Sequence, residues 1–144
     1  MWKFEHSVEC EVSRGFAWRF WTNVDNWAAV DPSLESVKLN GPFAAGTKGT
    51  TKPCDLHPID WQLTEVQDRT SAVIEVPVPG AIFRFLWRFE DSPSGGARIT
   101  QQVRIEGEQA DHYVGRMGPE FEKGIPQGMR RLAEEMIRAA GKQA

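Results

Sequence analysis

Phe121-Glu122-Lys123-Gly124-Ile125-Pro126-Gln127-Gly128-Met129-Arg130-Arg131-Leu132-Ala133-Glu134-Glu135-Met136 is the stretch on which the fold turns. Phe121, Ile125, Met129, Leu132 and Met136 recur at spacings of three and four, with Glu122, Lys123, Arg130, Arg131, Glu134 and Glu135 between them. A repeat near 3.6 residues puts the first set on one side of a helix and the second in water. With Arg138 included, the pattern predicts a helix of about five turns or more. Pro126 is expected to kink it, because proline lacks an amide hydrogen and crowds the turn before it. Upstream, past Gly118-Pro119, a looser helical pattern covers Ala110 to Met117. Gly115, Gly118, Gly124 and Gly128 each cost roughly 1 kcal/mol against alanine where a helix is regular. They point either to a helix start that moves as a gate or to close packing of helix on sheet.

The partner for that stripe lies immediately before it. Ile82–Glu90 and Ala97–Glu106 read as two strands joined through Asp91-Ser92-Pro93-Ser94-Gly95-Gly96, a hairpin connection by its proline and paired glycines. Phe83, Phe85, Trp87 and Phe89 share one face with Ile99, Gln101, Val103 and Ile105, while Arg84, Arg88, Arg98, Gln102 and Arg104 take the other. At the opposite end of the chain, Trp2, Phe4, His6, Val8, Cys10 and Val12 alternate with Lys3, Glu5, Ser7, Glu9 and Glu11, a period of two that predicts a strand to Val12. Its parity puts His6 on the core face. Ser13 reads as the N-cap of a short helix carrying Phe16, Phe20, Trp21 and Val24, and Asp25 as the cap of a turn or two with Trp27 and Val30, stopped before Pro32. Further short strands are expected over 35–40, 46–52, 59–67 and 72–78. The sum is an α+β chain: a seven-stranded curved antiparallel sheet, two short helices after the first strand, and a long C-terminal helix. At 144 residues, 40% hydrophobic and 26% charged, it makes one domain over 1–144.

Charge and composition narrow the partners. A net charge of -3 and the lack of a basic patch interleaved with aromatics argue against nucleic acid. No stretch approaches the roughly 18 apolar residues of a membrane span, and the first residues alternate rather than form a signal core. A cytoplasmic protein, monomeric or homodimeric, with Cys10 and Cys54 as free thiols, is the expectation.

The order of elements resembles the SRPBCC superfamily, which includes START lipid-transfer domains, polyketide cyclase/dehydrase-like proteins and relatives of the birch-pollen allergen. The resemblance spans nearly the whole chain. It rests on the first strand ending Val12-Ser13, the helix ending Val24-Asp25-Asn26-Trp27, the following Asp31-Pro32, Val37-Lys38-Leu39-Asn40-Gly41-Pro42-Phe43 leading to Gly46-Thr47-Lys48-Gly49, and the aromatic hairpin. It implies a helix-grip fold, in which the sheet wraps around the C-terminal helix, and a cavity between them for a small hydrophobic molecule. The same elements imply first and last strands paired antiparallel, bringing Gln101 beside His6, and a cavity entrance near Asp111, His112 and Tyr113. No reaction carries over with them.

Candidate ligand contacts are His6, Trp61, Phe83, Phe85, Trp87, Gln101, His112, Tyr113, Phe121, Ile125 and Met129. Each aromatic has core packing as its alternative role, His6 that of a satisfied structural histidine, and His112 and Tyr113 that of solvating a helix start. Cys54-Asp55-Leu56-His57-Pro58-Ile59-Asp60 holds metal-capable residues, but its spacing fits no structural zinc pattern and a polar turn is expected there. No catalytic residue, cofactor or metal is assigned. Binding of a small hydrophobic or aromatic molecule, as carriage or sequestration, is the leading expectation. A cyclase/dehydratase using His6 or His112 as the proton carrier stands second, and a regulator that binds another protein third.

Overall fold

The computed structural model describes residues 2–142. In chain order it contains β1 (Trp2–Cys10), α1 (Arg14–Thr22), α2 (Asp25–Val30), β2 (Leu34–Leu39), β3 (Lys48–Pro53), β4 (Ile59–Gln67), β5 (Ser71–Val78), β6 (Ala81–Asp91), β7 (Ala97–Glu106) and α3 (Ala110–Lys142). The strands form a single seven-stranded sheet in the order β1-β7-β6-β5-β4-β3-β2, each neighbour antiparallel to the next. The sheet curves around α3, and the two short helices follow β1 as the sequence predicts.

Local chemistry sets the boundaries. Ser13 caps α1, its hydroxyl accepting the Phe16 amide at 3.1 Å, so β1 ends at Cys10 and not at the expected Val12. Asp25 is the first residue of α2 and not its cap; the Asn23 side chain receives the Asp25 amide instead, at 3.2 Å. After α2, the Asp31 carboxylate accepts from the Ser33 amide at 2.9 Å and the Ser33 hydroxyl at 2.7 Å, folding the chain around Pro32.

Register lays the inward side chains in rows. His6, Gln101, Trp87, Ala72 and Val66 are successive cross-strand partners, and Phe4, Val103, Phe85, Ile74 and Leu63 form the row beside them. A register shift between Leu63 and Glu65 absorbs one residue of β4, so that Leu63 and Val66 face the same side despite their odd spacing. Where β3 passes β4, the Trp61 ring lies on the Gly49 backbone, its cross-strand partner. A Cβ at residue 49 would run into that ring, which is why glycine stands there.

The helix α3 is continuous through both Pro119 and Pro126. The looser pattern over Ala110–Met117 and the firmer one past Gly118-Pro119 thus belong to one helix. Its entry is fixed to the β5–β6 turn. Gly107 has φ of 123°, an added Cβ there would strike the backbone of Gly80 and Ala81, and the Gln109 amide donates to Gly80 O at 2.9 Å.

The interior divides into two packed groups. The larger joins α1, the central sheet and the second half of α3, with Trp18, Trp21, Leu63, Phe89, Ile99, Val103, Met129 and Met136 buried. The smaller gathers Phe83, Ile105 and Ala110. Trp2, Val76, Phe85 and Phe121 border both and are only half-buried.

A candidate ligand site on the concave face

Apart from Asp91, which meets Arg14 of α1 at 3.5 Å at the end of β6, the charged residues of β1, β5, β6 and β7 lie on the outer, convex face. There Arg84 bridges Glu75 at 2.8 Å and Glu106 at 2.9 Å. Glu5 accepts from Gln102, and Glu9 from the Ser92 hydroxyl, so these carboxylates meet neutral partners and not the arginines opposite. Two open hollows of about 300 and 460 Å³ lie on this face, bordered by side chains such as Glu5, Arg88 and Arg104, and Lys48, Asp60 and Glu75. Their charged rims suit water better than an apolar molecule.

The concave face differs. Alternation in β1, β5 and β7, and in β6 from Ala81 to Phe89, directs only uncharged side chains inward, and the stripe of α3 that answers them, Phe121, Ile125, Met129, Leu132 and Met136, is equally uncharged. The Trp21 ring from α1 lies 4.9 Å from Trp87, and Phe121 from α3 lies 5.9 Å from Phe85. Between them, Phe85, Trp87 and Gln101 keep accessible surface, whereas Ile99, Val103, Ile105 and Phe89 on the same strands keep none. Both β6 and β7 have strands on either side, so the inward side chains there face α1 and α3. His6 and Phe4, on β1, are half-buried opposite Gln101 and Val103.

The polar groups within this lining are few. Thr51 is occupied by the Trp61 indole, which donates to it at 2.9 Å. The Cys10 thiol donates to Ala133 O at 3.5 Å. Burial pushes that thiol above its ordinary value and the nearby Glu11 charge adds to the rise, against a hydrogen bond from the Val12 backbone that lowers it. Cys10 is therefore a neutral core residue at physiological pH. His6 and Gln101 face each other across the β1–β7 pair. Neither side chain makes a hydrogen bond among the described residues, and no buried side-chain nitrogen or oxygen there lacks a partner. The polar atoms of both therefore remain accessible.

Of the residues singled out by sequence, His6, Gln101 and Trp87 fall in one cross-strand row, Phe85 meets Phe121 at 5.9 Å, and Ile125 and Met129 are buried on α3 in the larger packed group. Trp61 sits apart, buried and stacked on Trp27 at 5.4 Å. Phe83 and Tyr113 meet edge to face at 5.4 Å at the entry of α3, where the Tyr113 hydroxyl donates to Pro79 O at 2.8 Å. His112 is exposed beside Tyr113 on the first turn. Cys54, Asp55, His57 and Asp60 are all exposed around the β3–β4 turn, and no group of three metal-capable side chains is close enough to hold an ion among the described residues. No helix there is long and apolar enough to cross a membrane. Phe4, in the row beside His6, and Trp21, packed on Trp87, are missing from the ligand contacts singled out by sequence. Parity alone marks Phe4, two residues from His6, whereas nothing in the sequence gives α1 its partner.

This architecture is shared with solved structures of low sequence likeness. A Nitrosomonas europaea protein superposes with a TM-score of 0.77 at 15% identity, covering 96% of each chain. The protein crystallised as Ara h 8.0201 gives 0.75 at 12% identity, over 95% of this chain and 98% of that one. Norcoclaurine synthase from Thalictrum flavum, solved in complex with dopamine and hydroxybenzaldehyde, gives 0.74 at 11% identity, over 95% of this chain and 87% of that one. At such identities the likeness is one of fold. No curated protein matches the sequence. A family model described as polyketide cyclase / dehydrase and lipid transport matches residues 1–141, and with the sheet order and the gripped helix on the page, the chain belongs to that family, within the SRPBCC superfamily.

Proposed function

We propose that this protein binds a small, largely apolar aromatic molecule beneath α3 and carries or sequesters it without transforming it. One observation supports this above the rest: the inward Phe85, Trp87 and Gln101 of the interior strands β6 and β7 retain accessible surface while Phe89, Ile99, Val103 and Ile105 along the same strands are sealed. An aromatic ring that buries about 150 Å² at about 25 cal/mol per Å² gains roughly 4 kcal/mol. Association alone costs at least about that much. A useful occupant is therefore larger than one ring, or adds hydrogen bonds at His6 and Gln101. Native mass spectrometry of protein purified without detergent tests the reading, together with thermal shift across fatty acids, sterols and aromatic polyketides. A retained mass or a shifted midpoint is expected; a bare spectrum with no shift across the panel sinks it.

A cyclase or dehydratase reaction at the same site is the second reading, favoured by His6, the one imidazole of the inward rows, which can both donate and accept a proton. No carboxylate or ammonium faces it to act as the complementary acid or base, which weighs toward binding. Replacing His6 by alanine in a protein that turns over a polyketide-like substrate should abolish turnover with the fold intact. Unchanged turnover in that variant and in His112→Ala removes the proton-transfer mechanism.

A further inference from the structure

The lining beneath α3 combines two properties whose consequence is selectivity. Its inward positions on β1, β5 and β7, those of β6 from Ala81 to Phe89, and the stripe of α3 opposite carry no Lys, Arg, Asp or Glu; Asp91, at the far end of β6, is exposed and paired with Arg14. Its two unengaged polar side chains, His6 and Gln101, are direct cross-strand partners, so their Cβ atoms stand about 5 Å apart and both side chains reach one position above the sheet. A neutral imidazole offers one donor and one acceptor, and a primary amide offers two donors and an acceptor. A single hydroxyl placed between them donates to one and accepts from the other. A ring carbonyl accepts from both.

An ion placed there fares differently. A carboxylate loses its hydration and meets no cationic side chain, and an ammonium meets no anionic one, so each retains most of its desolvation cost. The aromatic surfaces of Phe4, Phe85, Trp87 and Phe121 attract any flat apolar ligand without regard to its polar group. Discrimination therefore falls to the His6–Gln101 pair. Resting on the binding reading above, we infer that this site selects an uncharged aromatic ligand whose one hydrogen-bonding oxygen, a phenolic hydroxyl or ring ketone, seats between His6 and Gln101, and that it excludes the matched carboxylate and ammonium.

Equilibrium dialysis at pH 8, where a free imidazole is neutral, with four probes of one shape separates the possibilities: naphthalene, 2-naphthol, 2-naphthoate and 2-naphthylmethylammonium. The 2-naphthol is expected to bind about fivefold tighter than naphthalene, the yield of one net hydrogen bond, and more than about tenfold tighter than either ion. In Gln101→Leu the naphthol preference should disappear while naphthalene affinity stays within about twofold. The Gln101→Met variant, closer in shape, repeats the test if leucine disturbs the fold. Equal binding of naphthol and naphthalene, or binding of either ion as tight as naphthol, overturns the selectivity and leaves the binding reading standing. Failure of all four probes to bind overturns the binding reading itself.

Discussion

The two halves of α3 face the same sheet and pack on it differently. From Ile125 onward the helix buries Ile125, Met129, Leu132, Ala133 and Met136; before it, only Ala110 and Gly118 are buried over fifteen residues, 110–124. Composition accounts for the contrast. The second half places the large side chains of Ile125, Met129, Leu132 and Met136 against α1 and the centre of the sheet. The first half carries Gly115, Gly118 and Gly124, and an added Cβ would meet nothing within 4 Å at Gly115 or Gly124 and only ordinary contact with Trp2, at 3.6 Å, at Gly118. Close packing therefore demands glycine at none of these positions. What glycine does there is lower the cost of local opening. One half of the helix anchors, and the other is held mainly at its entry, by Gln109, Tyr113 and the β5–β6 turn.

The sharpest way to break this comparison is to cut each half at its centre. Met129→Ala removes a side chain that is 1% exposed and should cost about 2 to 5 kcal/mol in urea unfolding. Phe121→Ala removes a larger ring that is only half-buried, yet should cost less, about 1 to 2 kcal/mol, with the greater loss in hydrophobic-probe affinity. Equal costs would mean the halves are packed alike, and a Met129→Ala protein unchanged in both stability and probe binding would mean α3 does not seal the sheet.

Gly115→Ala and Gly124→Ala sharpen it from the other side. Each should raise stability by about 0.5 to 1 kcal/mol and slow amide hydrogen exchange over 110–124 more than over 125–142. Slower probe association in stopped flow would follow if this half is the gate; unaltered association rates with slower exchange would separate gate from ligand entry. Tyr113→Phe deletes the hydrogen bond to Pro79 O and should cost about 1 kcal/mol, with faster exchange confined to the first turns of α3.

The smallest effect concerns Cys10. Its raised thiol binds its proton more tightly in the folded than in the unfolded chain, so its contribution is intact below the unfolded thiol's range near pH 8.5 and is lost as pH climbs from there toward the raised value. Urea midpoints between pH 7 and 10 should fall less steeply for Cys10→Ala than for the wild type. An identical slope would show that the Cys10 thiol titrates as it does in the unfolded chain.

Much of the architecture is legible because its periodicities are long. Eleven alternating residues fix the first strand, five apolar positions at helical spacing fix α3, and the parity of the late hairpin places Gln101 and Trp87 in one inward row, where the structure pairs them. What escapes is set by contacts distant in sequence. Trp61 faces inward as an aromatic in a strand should, yet its ring is claimed by Trp27 and Gly49, which no local pattern reveals. Gly118-Pro119 parts a looser from a firmer helical pattern, yet one helix runs through both. The α2 cap moves from Asp25 to Val24 because two helices share a tight connection, and a side chain at Asn23 does what a cap would do.

The sheet order carries a consequence for how the chain reaches its native state. From β2 to β7 every strand pairs with its neighbour in sequence, so that portion can grow hairpin by hairpin. The first strand is the exception: Trp2 pairs with Ile105 and Cys10 with Ala97, so β1 has no partner until almost the whole chain exists. On a ribosome, the strand made first must wait for the strand made last, with Trp2, Phe4 and Val8 uncovered meanwhile. Closing so long a loop is slow relative to local pairing. In pulse-labelled refolding the amides of β1 should gain protection after those of β5 and β6; simultaneous protection would mean that collapse, and not strand order, governs the time course.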